Sequence, residues 1–461
     1  MLKEHVLHSG AVSTFAYSRT TRRAILSALL LAIFATCGSV TPSAADDILN
    51  RHAMNGDATV ASIPPDAKTN EPETNDRSES VEDRLGRLTN TLYQQGRFRE
   101  AVETARQLVD ARRKQFGDSH PQLAVSLNNL GEICRVQAEY AAADSAFQEA
   151  SKIVGDAFGE DDTRVAAVAL NQGLLYSEMG QFDKADARLA KATVVLREKL
   201  GERHPRYALA LNNQGFLCRQ RGQDQEAASL YRRALEILAA SVGKSHPWYA
   251  VTLNNLADVS QELGDFIRAK SCYEEALDVV RRSQGKDHSA YAVSLNNLAD
   301  FYRETGDLAK AEPLAEEAVE VFKKSLGDEH PSYAMGLGNL GRLYQAKKDF
   351  GRAEPLLRQA SEVLRKRLGD KHPNYAACLY HLAELYREQA EYGKAEPLFA
   401  EAIAIRKAIF GEYDPKLIVY FESYANLLRN AGRGDEASQM QARVTALRNQ
   451  LGGGTTNGIC R

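Results

Sequence analysis

The stretch that decides the fold runs Gly243-Lys244-Ser245-His246-Pro247-Trp248-Tyr249-Ala250, then Leu253-Asn254-Asn255-Leu256-Ala257, Gly264-Asp265-Phe266, Ala269 and Ala276. It reads as a turn, a helix, a tight turn and a second helix. The same sentence is repeated along the chain. Its opening glycine recurs at Gly117, Gly159, Gly201, Gly285, Gly327, Gly369 and Gly411, in steps of 42 residues without insertion or deletion. A fixed period in this range marks stacked repeats, which grow along one axis without a single central core.

Within the unit each residue type has a local task. Gly243 suits a left-handed helix C-cap, and Pro247 suits a first helical position, where a missing N–H costs nothing. Helix A is expected to run to about Leu263, with Ala250, Leu253, Leu256, Ala257 and Ser260 on one packing face. Gly264 closes it, and Asp265 is placed to cap helix B. Phe266, Ala269, Tyr273, Ala276, Leu277 and Val280 form the apolar stripe of helix B. Small residues recur where two helices must approach: Gly131, Gly173, Gly215, Ala257, Ala299, Gly341 and Ala383 in helix A, and Ala143, Ala185, Ala227, Ala269 and their equivalents in helix B. Pro313, Pro355 and Pro397 fall inside helix B, where either a mild kink or a loosely bonded first turn would accommodate them.

Working outward, residues 81–116 fit the register but lack the opening turn, as a terminal cap would. Units at 117–158, 159–200, 201–242, 243–284, 285–326, 327–368, 369–410 and 411–451 complete nine, enough for roughly one superhelical turn. The remainder of the 461 residues has a different character. Residues 1–45 read as an export signal: Arg22-Arg23 precede the apolar run Ala24 to Cys37, and Ser43-Ala44-Ala45 supplies small residues for cleavage. Both ordinary secretory and twin-arginine routes fit, and the mature chain would be periplasmic or secreted with no transmembrane domain. Lipidation would use Cys37, for which Phe34-Ala35-Thr36 is a poor approach. Residues 46–80 are polar and proline-containing, the composition of a disordered linker. Residues 452–461 are glycine-rich and read as a flexible tail.

Composition narrows the function classes. A net charge of −3 provides no basic field for nucleic acid. The six cysteines lack zinc-finger spacing and read as small core residues. There is no nucleophile elbow, phosphate loop, dinucleotide glycine pattern or His-Glu-x-x-His motif.

The order of small, large and alanine positions, for example Ala299, Tyr302, Ala311, Ala315 and Ala318, resembles tetratricopeptide repeats. Eight residues beyond the standard period, with Gly-x-x-His-Pro-x-Tyr-Ala and Leu-Asn-Asn-Leu-Ala, make residues 81–451 similar to the long repeats of kinesin light chains and their bacterial relatives. The resemblance implies an all-α superhelical solenoid of helix-turn-helix repeats. Motor transport is not carried over, because the heptad coiled coil of that family is missing and an export signal stands in its place.

Three rows are candidates for function. Asn129, Asn171, Asn213, Asn255, Asn297 and Asn339 share one position of helix A, and Asn128, Asn212, Asn254 and Asn296 precede four of them. An amide donates and accepts at once, so such a row suits either a ladder between repeats or the backbone of a bound peptide. The resemblance implies that these positions face a peptide groove. The row lapses at His381 and Ser423. Arg135, Arg219, Arg303, Arg387 and Arg429 form a second row, read as a solvated face with local ion pairs, or alternatively as a site for acidic partners. His120, His204, His246, His288, His330 and His372 form a third. Equivalent positions of stacked units do not converge on one ion, so turn and capping roles are expected and no metal or cofactor is. The expected activity is non-enzymatic binding of a peptide or protein segment in a concave groove. The alternatives are a self-associating envelope assembly component or an accessory subunit of an enzyme complex.

Overall fold

The structure is a computed structural model describing residues 80–452. The expected export signal, nearly all of the linker and the tail beyond Gly452 lie outside the described residues. Helices A and B alternate strictly. Pairs 1 to 3 are α1 (Val81–Gln94) with α2 (Phe98–Phe116), α3 (Pro121–Val136) with α4 (Tyr140–Phe158), and α5 (Thr163–Glu178) with α6 (Phe182–Leu200). Pairs 4 to 6 are α7 (Pro205–Gln220) with α8 (Asp224–Ser241), α9 (Pro247–Glu262) with α10 (Phe266–Ser283), and α11 (Ser289–Glu304) with α12 (Leu308–Leu326). Pairs 7 to 9 are α13 (Pro331–Ala346) with α14 (Phe350–Leu368), α15 (Pro373–Glu388) with α16 (Tyr392–Phe410), and α17 (Leu417–Asn430) with α18 (Gly434–Gly452). Among the described residues there is no strand, and no helix is long and apolar enough to cross a membrane.

The histidine row caps helix A. In His120, His204, His246, His288, His330 and His372, Nδ1 accepts the backbone N–H two residues on, at 3.0–3.2 Å. A nitrogen that accepts carries no proton, so these rings hold their hydrogen on Nε2. Asp162 and Asp414 do the same work with a carboxylate, accepting from Arg164 and Lys416 N–H at 2.8 and 3.1 Å.

The opening glycines depart from the left-handed cap expected of them. Gly117, Gly159, Gly201, Gly327, Gly369 and Gly411 take φ of +82° to +103° with ψ of +153° to +179°. That region is essentially open only to glycine. The reason is local: the extended ψ turns the chain into the His-Pro cap, where a left-handed residue would carry it past. The turn inside each pair tolerates side chains better. Gly96, Gly180, Gly222, Gly264, Gly306 and Gly432 have positive φ there, and so do Ala138, Lys348 and Ala390 at +60°, +62° and +59°.

Packing within a pair follows the small-residue rows. A Cβ on Gly131, Gly173, Gly215 or Gly341 would lie 2.4–2.8 Å from the side chain of Phe147, Leu189, Tyr231 or Leu357 in the facing helix B. Ala143, Ala185, Ala227 and Ala269 are fully buried. Pro313, Pro355 and Pro397 each occupy the sixth position of a continuous helix, and the residues four before them are Ala309, Gly351 and Gly393. Their small size leaves room near the carbonyl that the proline ring crowds. Cys134, Cys272 and Cys378 are buried free thiols and Cys218 is half-buried.

The stack winds until its two edges meet. One edge carries the turns between pairs, with Gly-x-x-His-Pro; the other carries the turns inside pairs. Phe98 of pair 1 lies 6.5 Å, centroid to centroid, from His330 at the entrance to pair 7. Gln137 Nε2 of pair 2 donates to Leu368 O at 2.6 Å, and His372 Nε2 donates to Val136 O at 3.0 Å. Tyr140 stands 5.8 Å from Phe410, just before pair 9. Phe98 and Val136 thus join the buried apolar cluster of the later pairs. Pair 1 rests on the entrance to pair 7 and pair 2 on those to pairs 8 and 9, so six pairs complete one turn, and nine make more than the single turn expected. Glycine is needed at this seam: a Cβ on Gly96 would lie 2.4 Å from Pro331, and one on Gly369 1.7 Å from Arg99.

Candidate functional site

Successive A helices approach one another along the stack, which successive B helices do not do to the same extent. The A helices therefore form the inner layer of the superhelix, and the asparagine and arginine rows share its surface.

The two asparagine positions connect neighbouring pairs. Asn171 Nδ2 donates to Asn128 Oδ1 at 2.9 Å, and Asn255 Nδ2 donates to Asn212 Oδ1 at 3.0 Å. Each bond joins the first position of one unit to the second position of the next. The ladder continues past the point where asparagine lapses, because Tyr380 and Ser423 hydroxyls bond at 2.9 Å across the same step. The middle of the stack is different. Asn254 and Asn297 are not bonded to each other, nor Asn296 to Asn339. Polar atoms remain without partners on Asn254 (Oδ1), Asn296 (Nδ2 and Oδ1), Asn297 (Oδ1) and Asn339 (Nδ2). Asn339 Oδ1 is taken by Arg342 at 3.2 Å. Asn129 is exposed, whereas Asn213 is buried.

The arginines make the local pairs expected of them in part, but Arg135 and Arg219 are withdrawn from solvent. Arg135 and Arg219 are buried and reach across the stack. Arg135 binds Glu132 at 2.8 Å within its helix and pairs with Glu178 of the next unit. Arg219 binds Asp258 at 3.1 Å and Glu262 at 3.0 Å, both in the next unit. Arg303 binds Asp300 at 2.8 Å and Glu304 at 3.0 Å. Arg387 binds Glu384 at 2.9 Å. Burial opposes the charge on Arg219, but Glu262 and Asp258 outweigh it and hold the guanidinium above its ordinary pKa. Burial pushes the Asp258 carboxyl up to about 6, against the pull of Arg219 and a hydrogen bond from Tyr273.

The position three residues before each arginine was not singled out from sequence. Before Arg135, Arg303 and Arg387 it carries Glu132, Asp300 and Glu384, each paired with its arginine; before Arg219 and Arg429 it carries Phe216 and Asn426, and the same register holds Asp258 and Arg342 in units without the arginine. The signal was present as an i, i+3 opposite-charge spacing on helix A. With these residues included, carboxylates outnumber guanidinium groups on the inner layer. No group of three or more His, Cys, Asp or Glu positioned to hold a metal occurs among the described residues.

Comparison with curated protein sequences gives no match. Among solved structures, the chain is similar to BtubC (BKLC) from P. vanneervenii, at 24% identity over 53% of this chain and 95% of that one, with a TM-score of 0.40. It is similar to a kinesin light chain from Podosopora anserina with nearly identical TPR-like repeats, at 27% identity over 44% of this chain and 97% of that one, with a TM-score of 0.37. It is also similar to a Rap protein complexed with competence and sporulation factor, at 12% identity over 72% of this chain and 99% of that one, with a TM-score of 0.48. The tetratricopeptide repeat family model matches residues 85–156, 159–240, 248–324, 291–366 and 332–408. Nine helix pairs in constant register among the described residues, small residues at the close approaches of pairs 2 to 9 and a family match over most of the chain lead to one conclusion: this chain belongs to the tetratricopeptide repeat family.

Proposed function

We propose that the chain is a non-catalytic scaffold that holds an extended protein segment along its inner layer at pairs 5 to 7. The observation carrying this reading is the break in the amide ladder. Asn171 bonds Asn128 and Asn255 bonds Asn212, with one amide nitrogen of Asn212 left unmet, whereas Asn254, Asn296 and Asn297 make no bond across the step between units and keep unmet polar atoms. A main chain offers one donor and one acceptor per residue, which matches what these amides lack; the unmet atoms are covered in the free chain, so engagement requires these side chains to turn toward the segment. The charge balance defines the partner further. Arg135, Arg219 and Arg303 each already face two carboxylates, which favours a segment bearing Lys or Arg over the acidic partner that the arginine row alone suggested.

The test is a peptide array probed with the full chain and with the triple variant Asn254→Ala, Asn296→Ala, Asn297→Ala. The amide atoms concerned bond nothing in the chain, so helicity and Tm should hold. Capture of Lys- and Arg-rich segments should fall at least tenfold and weaken with added salt. Equal capture by the variant, or a preference for acidic segments, refutes the reading.

A further inference from the structure

The seam that closes the superhelix uses only part of each edge. Pairs 1 and 2 cover the entrances to pairs 7, 8 and 9, which leaves the turn-inside edge of the later pairs and the entrance edge of the earlier ones uncovered. Uncovered edges would be expected to be polar, yet they carry large apolar side chains. At the first position of helix B, Phe98 is inside the seam and 1% exposed, whereas Phe266 of pair 5 is 48% exposed. Next to it Ile267 is 87% exposed. At the position of Ile267 the other units carry Arg99, Asp183, Gln225, Asp435 or an alanine or glycine. On the opposite edge Phe116, just before the entrance to pair 2, is 40% exposed and stacks on His120 at 4.6 Å.

We propose that these edges dock on a second copy of this chain, head to tail, through the contact already built within the molecule. The register follows from the six-pair turn. If a second copy continues the winding as units 10 to 18, pair 5 of the first copy faces the entrance to pair 2 of the second. Phe98 meets His330 inside the chain; by the same step Phe266 meets His120 and Phe116 of the second copy. Arg99 meets Gly369 inside the chain; by the same step Ile267 meets Gly159. Gly159 and Gly264 have open space beside them, with no atom within 4 Å of an added Cβ, whereas their seam counterparts Gly369 and Gly96 are crowded. The two faces are different surfaces, so the contact is heterologous and does not close at two copies. The occupant is therefore a further copy at each end, and the assembly lengthens with concentration.

Light scattering on the full chain tests this. Molar mass should rise with concentration past that of a dimer. Phe116→Asp and Ile267→Asp each place a charge on one exposed edge; helicity should be retained in both, with Tm unchanged for Ile267→Asp and lowered for Phe116→Asp by the lost stacking on His120, while each variant alone stays monomeric. An equimolar mixture of the two keeps one intact edge of each kind, and its mass should return to that of a dimer and stop there. A wild-type chain that is monomeric at its highest soluble concentration overturns the proposal, including the case in which another segment of the same chain covers Phe266. Assembly that survives both substitutions overturns it, and so does a closed dimer that the mixture fails to restore.

Discussion

Acid should open the seam between pairs 2 and 8 before it melts the helices, and His372 is the reason. Its Nδ1 accepts the Asn374 N–H at 3.1 Å and its Nε2 donates to Val136 O at 3.0 Å. A second proton would sit on Nδ1, facing the N–H it now accepts. Burial, opposed by the Val136 bond and assisted by Arg99, pushes the ring down from 6.5 to about 4. Below pH 6.5 the unfolded ring takes up a proton that the folded ring refuses. Stability is therefore complete above that pH, falls between 6.5 and 4, and changes no further from this group below 4. The displacement is worth roughly 3 kcal/mol at ~1.4 kcal/mol per tenfold in proton affinity, and roughly 2 kcal/mol of it is gone by pH 5. His330 is pushed down to about 4 as well, by burial and by Arg367, against the hydrogen bond its ring donates to the backbone of Gln94. The control is His372→Asn, which keeps an N-cap side chain but does not titrate. Urea midpoints followed by circular dichroism at pH 7 and pH 5 give the comparison. Groups common to both chains cancel, among them Asp258, whose raised pKa acts with the opposite sign. Wild type should lose roughly 2 kcal/mol more than the variant over this interval. Parallel pH dependences would refute the role assigned to the ring.

Three further substitutions probe the backbone. Gly96→Ala and Gly264→Ala impose similar left-handed strain, at φ of +67° and +81°, but only the first drives a Cβ into Pro331 and His330. Thermal melts should show both destabilised, with Gly96→Ala lower by a further ~1–3 kcal/mol for overpacking, and equal losses would mean that the seam contributes nothing. Ala390→Gly relieves an exposed residue held at φ +59° and should raise stability by up to ~1 kcal/mol, less the entropy that glycine adds to the unfolded chain; a lowered midpoint would show that the strain is not there.

The architecture was legible because a repeat states each rule many times. Gly215 alone says little, but its row beside the alanine rows announces a close helix approach, and Tyr231 fills it. The histidines were legible as turn residues for the same reason. What period alone could not convey was which neighbour a row faces. Asn171 looks identical to Asn213 in sequence, yet the first bonds Asn128 because an asparagine stands there, while Leu170 stands at the matching place before Asn213. The arginine row was legible only in part: the i, i+3 pairs of Arg135, Arg303 and Arg387 follow a local spacing rule, whereas Glu178 and Glu262, which Arg135 and Arg219 reach in the next unit, lie 43 residues away, beyond any such rule. The seam was least legible. Phe98 and Phe266 hold the same position with the same flanking turn. Their different burial follows from a small rotation per unit that accumulates over six units, and no single residue encodes it.

That seam changes what kind of object the chain is. In an open stack each unit has two neighbours, and the array behaves as a line. Here Val136 and His372, 236 residues apart, share a hydrogen bond, and units 1 and 2 acquire a second direction of contact. The molecule is the beginning of a tubular lattice, with one spacing along the winding and another across it. On such a lattice a single inserted residue would displace every cross-contact after it, which gives a physical reason for seven steps of 42 residues to remain equal.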